Sequence, residues 1–591
     1  MERDVRPRRQ GVNAEGKGGR MPRMGSGESK RSGVYALLAV ILLLLGMALM
    51  MWAARTQAGM YDEVTFLGVG RYLWHTGDFD IQHVRFHPPL MYYVNSLFLE
   101  LGPGRWDLGL DSQGHFTYFA GRGYLYRGGQ SPDAVLLLAR YPFILLFVLL
   151  GAILFHWSRS VHGPAGGVLT LALYVFSPTV LAHGGVVGND FLLAFFFTGT
   201  LFALWKATRR GGFGWWLLVG LLWGGTLLSK ATGMVLWGVI PVLVGWAWWL
   251  GRKGAWPRPL TFREGIGGTV LAGTVAVVTV MAGYGFHGVY AFSPLYRPHR
   301  GIDRVVGWMG PRVRMAVYRW VERPVPGYRY VTMLLRQFGH VSGGHEAYLL
   351  GRRSTQGWWY FFPVVMSIKV PVPTLLLWAW GLGRSLWLGV RAGISHRRRV
   401  WGWIVWWGLP VVAVCGPAMW GRANMGIRLI LPVFPFLFLF AGGVLHGTEL
   451  RSRRSFVTWA LVAMTCVSVL RQAPHYVSYV NELWGGAEAG WRYVGDSNYD
   501  WGQSLKELQA FLRSQGIDEV YLAYFGGELP EMRGIRYRPL PCHPVRGIVV
   551  VSTTYLQGLY LDDPRCYAWL KDFKPLARVG YTLWVYDTRR P

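Results

Sequence analysis

GMYDEVTFLGVGRYLWHTGDFDIQHVRFHPPLMYYVN, residues 59–95, follows directly on an apolar run at 34–54, VYALLAVILLLLGMALMMWAA. The run is long enough to cross a bilayer. The acidic pair Asp62-Glu63 therefore falls within a few residues of a membrane surface. A carboxylate there faces an unfavourable dielectric and needs a partner or a task. Farther on, His87-Pro88-Pro89-Leu90 stops any helix and hands the chain to a new apolar stretch.

The rest of the composition agrees with that start. Of 591 residues, 52% are hydrophobic and only 16% charged, against roughly 25% charged in soluble domains. Mean hydropathy is +0.24. These values describe a polytopic α-helical membrane protein. The net charge of +30 follows the collection of basic residues on the cytoplasmic side of membrane proteins. No nucleic-acid motif accompanies it, so nucleic acid is not a partner and membrane lipids are. Cys415 and Cys466 lie in apolar runs; Cys542 and Cys566 lie in the C-terminal segment, where a disulfide is open to them.

Eleven spans are expected, near 34–54, 135–155, 164–182, 191–207, 214–230, 232–250, 265–287, 359–390 (interrupted), 401–418, 428–446 and 456–472. Residues 1–33 read as a disordered basic cytoplasmic tail. With the N-terminus inside, the arginine-rich connections at 206–210, 252–263, 391–399 and 451–454 become cytoplasmic, as short loops require. The C-terminus then lies outside, as do two long loops at 55–134 and 288–358. The second holds eleven arginines and no lysine, which suits amphipathic segments on anionic headgroups or a phosphate-facing surface. From 473 to 591 the pattern changes to a small extracytoplasmic α/β domain. A helix is expected over 503–514 and strands over 520–525, 547–552 and 579–586.

Several side chains fall on the outer face. Asp62 and Glu63 diverge by about 100° on a helix, so one is expected to react and the other to orient the site or bind substrate. Asp190, in Gly188-Asn189-Asp190, sits at the mouth of a span, where an aspartate also fits as a helix N-cap. His87, Arg140, Lys230 and Lys369 lie near the same face. Each fits as an interface anchor; converging, they would clamp a phosphate. His345-Glu346 opens a polar-aromatic run reaching Trp358-Trp359-Tyr360. That run suits a membrane belt or sugar binding and has no metal-ligand spacing.

At these residues the chain resembles the polyprenyl-phosphate-dependent glycosyltransferases of the protein O-mannosyltransferase type, glycosyltransferase family 39, with the GT-C fold. The matching pieces are Asp62-Glu63-Val64, His87-Pro88-Pro89-Leu90, Ala139-Arg140-Tyr141-Pro142, Ser177-Pro178 through Asp190, Leu228-Ser229-Lys230, Gly344-His345, Lys369-Val370-Pro371, the stretch 424–435 and Asp496-Ser497-Asn498-Tyr499-Asp500-Trp501-Gly502-Gln503. The resemblance implies that Asp62 is the base that activates the acceptor hydroxyl, that Asp190 faces the site, and that Lys230 binds donor phosphate. By the same likeness, His87 stands where relatives carry a phosphate-binding lysine. The implied reaction is inverting transfer of a hexose, mannose in the family's type, from a polyprenyl-phosphate donor to a protein, glycolipid or glycan acceptor at the plasma membrane. Some relatives hold a divalent metal ion at the site, which the sequence leaves open. The competing class is a lipid or lipid-linked-sugar flippase; two long outer loops and the lack of an inverted repeat argue against it.

Overall fold

A computed structural model describes residues 26–101, 120–286, 307–321, 328–449 and 451–589. Most of the expected tail at 1–33 lies outside them; the first helix starts at Ser26 and runs to Thr56. By length and composition eight described helices can cross a membrane: Gly33–Thr56, Pro132–His162, Asn189–Arg210, Ala231–Arg252, Phe262–Gly283, Ile394–Trp420, Ile427–Leu445 and Arg453–Arg471. A ninth is the pair Pro164–Val175 and Pro178–Gly184, bent by 62°. The bend falls where Pro178 begins a new helix capped by Ser177, since proline cannot donate to the preceding turn. The other two expected spans fall short. Phe213–Ser229 has 17 residues. The segment 359–390 breaks into Phe361–Lys369 and Val372–Arg391, because Pro371 and Pro373 follow Lys369.

The spans differ in their surroundings. Asn189–Arg210 is the central post, with 89% of its apolar window buried, whereas Gly33–Thr56 is 22% buried and peripheral. The central helix packs on Phe213–Ser229 and Pro132–His162, and its N-terminus carries Asp190.

The described parts of the two long loops are folded. The first holds helices Tyr61–Phe66, Val69–Thr76, Gln82–Phe86, Leu90–Leu101 and Ala120–Arg127. Val64, Leu67, Val69, Tyr92 and Tyr124 from these join the main apolar core. Two glycines permit the closest approaches. A Cβ on Gly121 would lie 1.8 Å from the Val64 carbonyl oxygen, and one on Gly527 would lie 2.8 Å from Val64 Cβ. The second loop holds helices Pro311–Val321 and Tyr328–Gly343 and a hairpin pairing Ala347–Leu349 with Arg352–Ser354.

The C-terminal sheet has five strands in the order Arg536–Pro539, Glu519–Ala523, Ile548–Ser552, Leu583–Asp587, Pro575–Val579. The first three are parallel and the last two join antiparallel. Helix Leu505–Ser514 buries Leu505, Leu508 and Leu512 on one face. The strand expected at 579–586 is a hairpin instead, because Gly580 and Tyr581 take left-handed turn conformations. The strand Arg536–Pro539 has no apolar alternation and was not expected; it is an exposed polar edge. Cys542 and Cys566 are bridged, and Cys415 and Cys466 are free. The stretch entering this domain packs with the spans: Tyr476, Val477, Val480, Tyr499, Trp501 and Phe525 all belong to the main core.

Candidate active site

The short helix Tyr61–Phe66 sends its two acids in opposite directions. Glu63 points inward and has no exposed surface. It receives Arg140 Nε at 2.8 Å and Nη2 at 2.6 Å, with the backbone N–H groups of Met60 and Val187 at 3.2 and 3.1 Å. Arg140 also donates to the carbonyls of Ala54, Gln57 and Ala58. All five of its N–H groups are thereby engaged. This pair ties the end of the first span to the acidic helix and to the turn before Asp190.

Asp62 points the other way, its side chain 25% exposed. Arg428 Nη1 lies 2.7 Å from Asp62 Oδ2 and 3.6 Å from Asp190 Oδ2. The other oxygen of Asp190 accepts from Lys230 Nζ. The Arg428 guanidinium lies 4.3 Å from the ring of Trp501, and its Nε has no hydrogen-bond partner among the described residues. His87 Nδ1 is 3.3 Å from the Asn189 carboxamide nitrogen. Burial, then repulsion from Lys230, pushes the His87 imidazole down to about 4, so it is neutral at pH 7.

A third acid completes the ring. Asp496 is buried, and its Oδ2 accepts from the Tyr560 hydroxyl at 2.7 Å. Burial pushes its carboxyl above the usual range, while Arg428 and the Tyr560 hydrogen bond pull it back. Three rings stand in a column beside these acids: Tyr61 on Phe525 at 5.3 Å, and Phe525 on Tyr560 at 5.4 Å. The C-terminal turns also hold the loop that presents Arg428. Ser497 Oγ donates to the Met425 carbonyl at 2.9 Å, and the Ile427 N–H donates to Asn498 Oδ1 at 2.9 Å.

Of the eight residues singled out in the sequence, Asp62, Asp190, Lys230 and His87 gather here. The other four require correction. Arg140 has no N–H left for a phosphate, and Glu63 is its counter-charge rather than a second acid facing the cavity. Lys369 is buried and donates to the carbonyls of Val477 and Asn498, so its ammonium holds the C-terminal segment instead of reaching a headgroup. His345 sits one layer out, edge-on to Tyr560 at 5.6 Å, with Nδ1 on the Glu346 carbonyl.

Arg428, Trp501, Asp496 and Tyr560 were not singled out. Arg428 had a signal, since a charge at the start of an apolar run is a functional marker; for Tyr560 there was none. Among the described residues no group of three or more His, Cys, Asp or Glu side chains is set to hold a metal ion. The position between Asp62 and Asp190 that a cation would take is filled by Arg428. The described residues do not fit a metal centre.

Residues 133–280 match the family described as dolichyl-phosphate-mannose-protein mannosyltransferase. That segment carries Asp190 and Lys230, beginning after Asp62 and ending before Arg428. No curated protein sequence matches the chain. Among solved structures, ArnT from Cupriavidus metallidurans bound to undecaprenyl phosphate is 13% identical, with a TM-score of 0.45, over 94% of this chain and 98% of that one. The Archaeoglobus fulgidus oligosaccharyltransferase in complex with Zn and sulfate is 13% identical, with a TM-score of 0.47, over 93% and 73%. The same organism's AglB with an inhibitory peptide and a dolichol-phosphate is 12% identical, with a TM-score of 0.42, over 89% and 71%. The family match bears out the resemblance drawn from the motifs: the chain is a multi-pass membrane glycosyltransferase of the GT-C type.

Proposed function

We propose that this enzyme transfers a hexose, mannose in the first instance, from a polyprenyl monophosphate carrier to a hydroxyl acceptor, with inversion. The acceptor is a protein side chain, a glycolipid or a glycan, and the site opens on the extracytoplasmic face of the plasma membrane. One observation carries the reading: a partly exposed carboxylate, Asp62, shares Arg428 with Asp190, and Lys230 stands on Asp190's other oxygen. Base and phosphate-binding cations are thus held in one place.

The acceptor oxygen attacks the anomeric carbon as its proton passes to Asp62. The bond from that carbon to the phosphate oxygen breaks, and the polyprenyl phosphate departs with the electron pair. Arg428 Nε and the remaining N–H groups of Lys230 are the donors available to the departing oxygens. Neutral His87 orients through Asn189 and adds no charge. The bridged Cys542 and Cys566 support an oxidising, extracytoplasmic setting for the C-terminal domain.

The test supplies purified protein with radiolabelled polyprenyl-phosphate-mannose and candidate acceptors. Wild type is expected to transfer label and Asp62→Asn to be slower by about 10²–10⁴-fold, the usual contribution of a general base. Equal transfer by both would remove Asp62 from the chemistry. The labelled product names the acceptor.

A further inference from the structure

Asp496 takes no part in proton abstraction or phosphate binding as described, yet the fold goes to some length to place it. Its φ is +51° and that of its partner Tyr560 is +57°. Aspartate tolerates the left-handed region through local hydrogen bonds, here from the Ser497 N–H to Oδ1 at 2.6 Å. Tyrosine has no such compensation, and a bulky residue held there marks imposed strain. Tyr560 is held from three sides. Its N–H donates to Glu346 Oε2, its ring lies on Phe525, and His345 meets its edge. The result is a phenol aimed at one carboxylate oxygen.

What that carboxylate faces is Arg428, which feels Asp62, Asp190 and Asp496 together. Asp62 in turn is faced by Arg428, His87, Tyr61, Tyr560 and Asp496, with Lys230 one step away through Asp190. An arginine balanced by one acid alone would draw hard on Asp62 and make it a poor proton acceptor. A second and third acid spread that attraction.

We propose that Asp496, aimed by Tyr560, is a positioning residue that balances the charge of Arg428 and so keeps Asp62 basic enough to accept the acceptor's proton. The C-terminal domain is on this account a working part of the transfer site. The inference rests on the reading of Asp62 as the base.

The experiment measures initial rates of sugar transfer from polyprenyl-phosphate-mannose between pH 5 and 9 for the full-length wild type, Asp496→Asn and Tyr560→Phe. Asp496→Asn is expected to lower kcat about tenfold or more with the donor KM within about threefold, the pattern of an interaction made in the transition state. The acid limb of its pH profile moves to lower pH, because Asp62 keeps its charge longer beside an uncompensated guanidinium. Tyr560→Phe, which deletes one hydroxyl and keeps the ring stack, moves both readouts the same way by less. Asp496→Glu restores part of kcat.

If wild type transfers and Asp62→Asn does not, while Tyr560→Phe and Asp496→Asn keep the wild-type profile or lose only thermal stability, the positioning role is overturned and the base survives. If wild type transfers no sugar, both readings fall. Should Asp496→Asn not fold, Tyr560→Phe alone decides between these outcomes.

Discussion

Glu63 and Asp62 are adjacent in the chain and separated by function because one turn of helix points them apart. Glu63 and Arg140 form an ion pair with no exposed surface, saturated by backbone groups. Deleting one partner of such a pair leaves a buried charge without compensation, which costs about 3–5 kcal/mol. Glu63→Gln and Arg140→Met are therefore expected to lower the thermal unfolding midpoint in detergent by several degrees or to prevent folding. Asp62→Asn, at a partly exposed position, leaves the midpoint within a couple of degrees while transfer is lost. A Glu63→Gln protein as stable as wild type would refute the structural assignment. Arg428 is read by shape as well as charge, since its fork meets two acids and its plane lies over Trp501. Arg428→Lys keeps the charge and loses both, so kcat is expected to fall about 10- to 100-fold. Retention of full activity would reduce the requirement at this position to a point charge.

Helix Leu505–Ser514 carries a second titrating group away from the site. Burial pushes the Glu507 carboxyl up to about 7, and His475 Nδ1 lies 3.4 Å from its Oε1. The sign follows from proton counting. The unfolded chain releases this proton near pH 4.5, while the folded chain keeps it until about 7. Stability contributed at this position therefore falls as pH rises through that window and levels off above it. His475 is lowered by burial and acts oppositely, losing stability as pH falls. Glu507→Gln is expected to flatten the decline, so that the variant gains on wild type by a few degrees between pH 5 and 8 in a thermal melt. Parallel curves would rule out Glu507 as the source. The same domain is clamped to the first outer stretch by Glu528, which accepts from the Gly59 N–H, the Tyr126 hydroxyl and Arg533. Arg533 and Lys506 reach Asp133 at the start of the next span.

Across the whole molecule the acids, the aromatic column and the C-terminal sheet share one end of the bundle, and the basic connections share the other. The proposed orientation is checked by single cysteines in a chain whose free Cys415 and Cys466 are replaced. A cysteine at Leu483, 78% exposed, is expected to react with a membrane-impermeant maleimide in intact cells, and one at Arg451 only after the membrane is opened. The reverse pattern would turn the site toward the cytoplasm and end the proposal of outward transfer.

Apolar length, proline breaks and arginine placement were enough, from the sequence alone, to establish a polytopic helical membrane protein, because crossing a bilayer is a local requirement on roughly 20 consecutive residues. The same local logic found Asp62, Asp190 and Lys230, which stand where a charge meets an apolar run. It also found helix Leu505–Ser514 through its apolar face and misjudged 579–586, where Gly580 hides a turn inside a strand-like run. Only the tertiary structure decided which charges face each other. Arg140 and Lys369 look like phosphate ligands in the chain and are used up by carbonyls and Glu63; Arg428 and Asp496 meet Asp62 from 366 residues away in the first case and from the far side of the C-terminal boundary in the second. Such pairings depend on how loops close over long separations. No periodicity or spacing within a segment records which partner a buried charge will find.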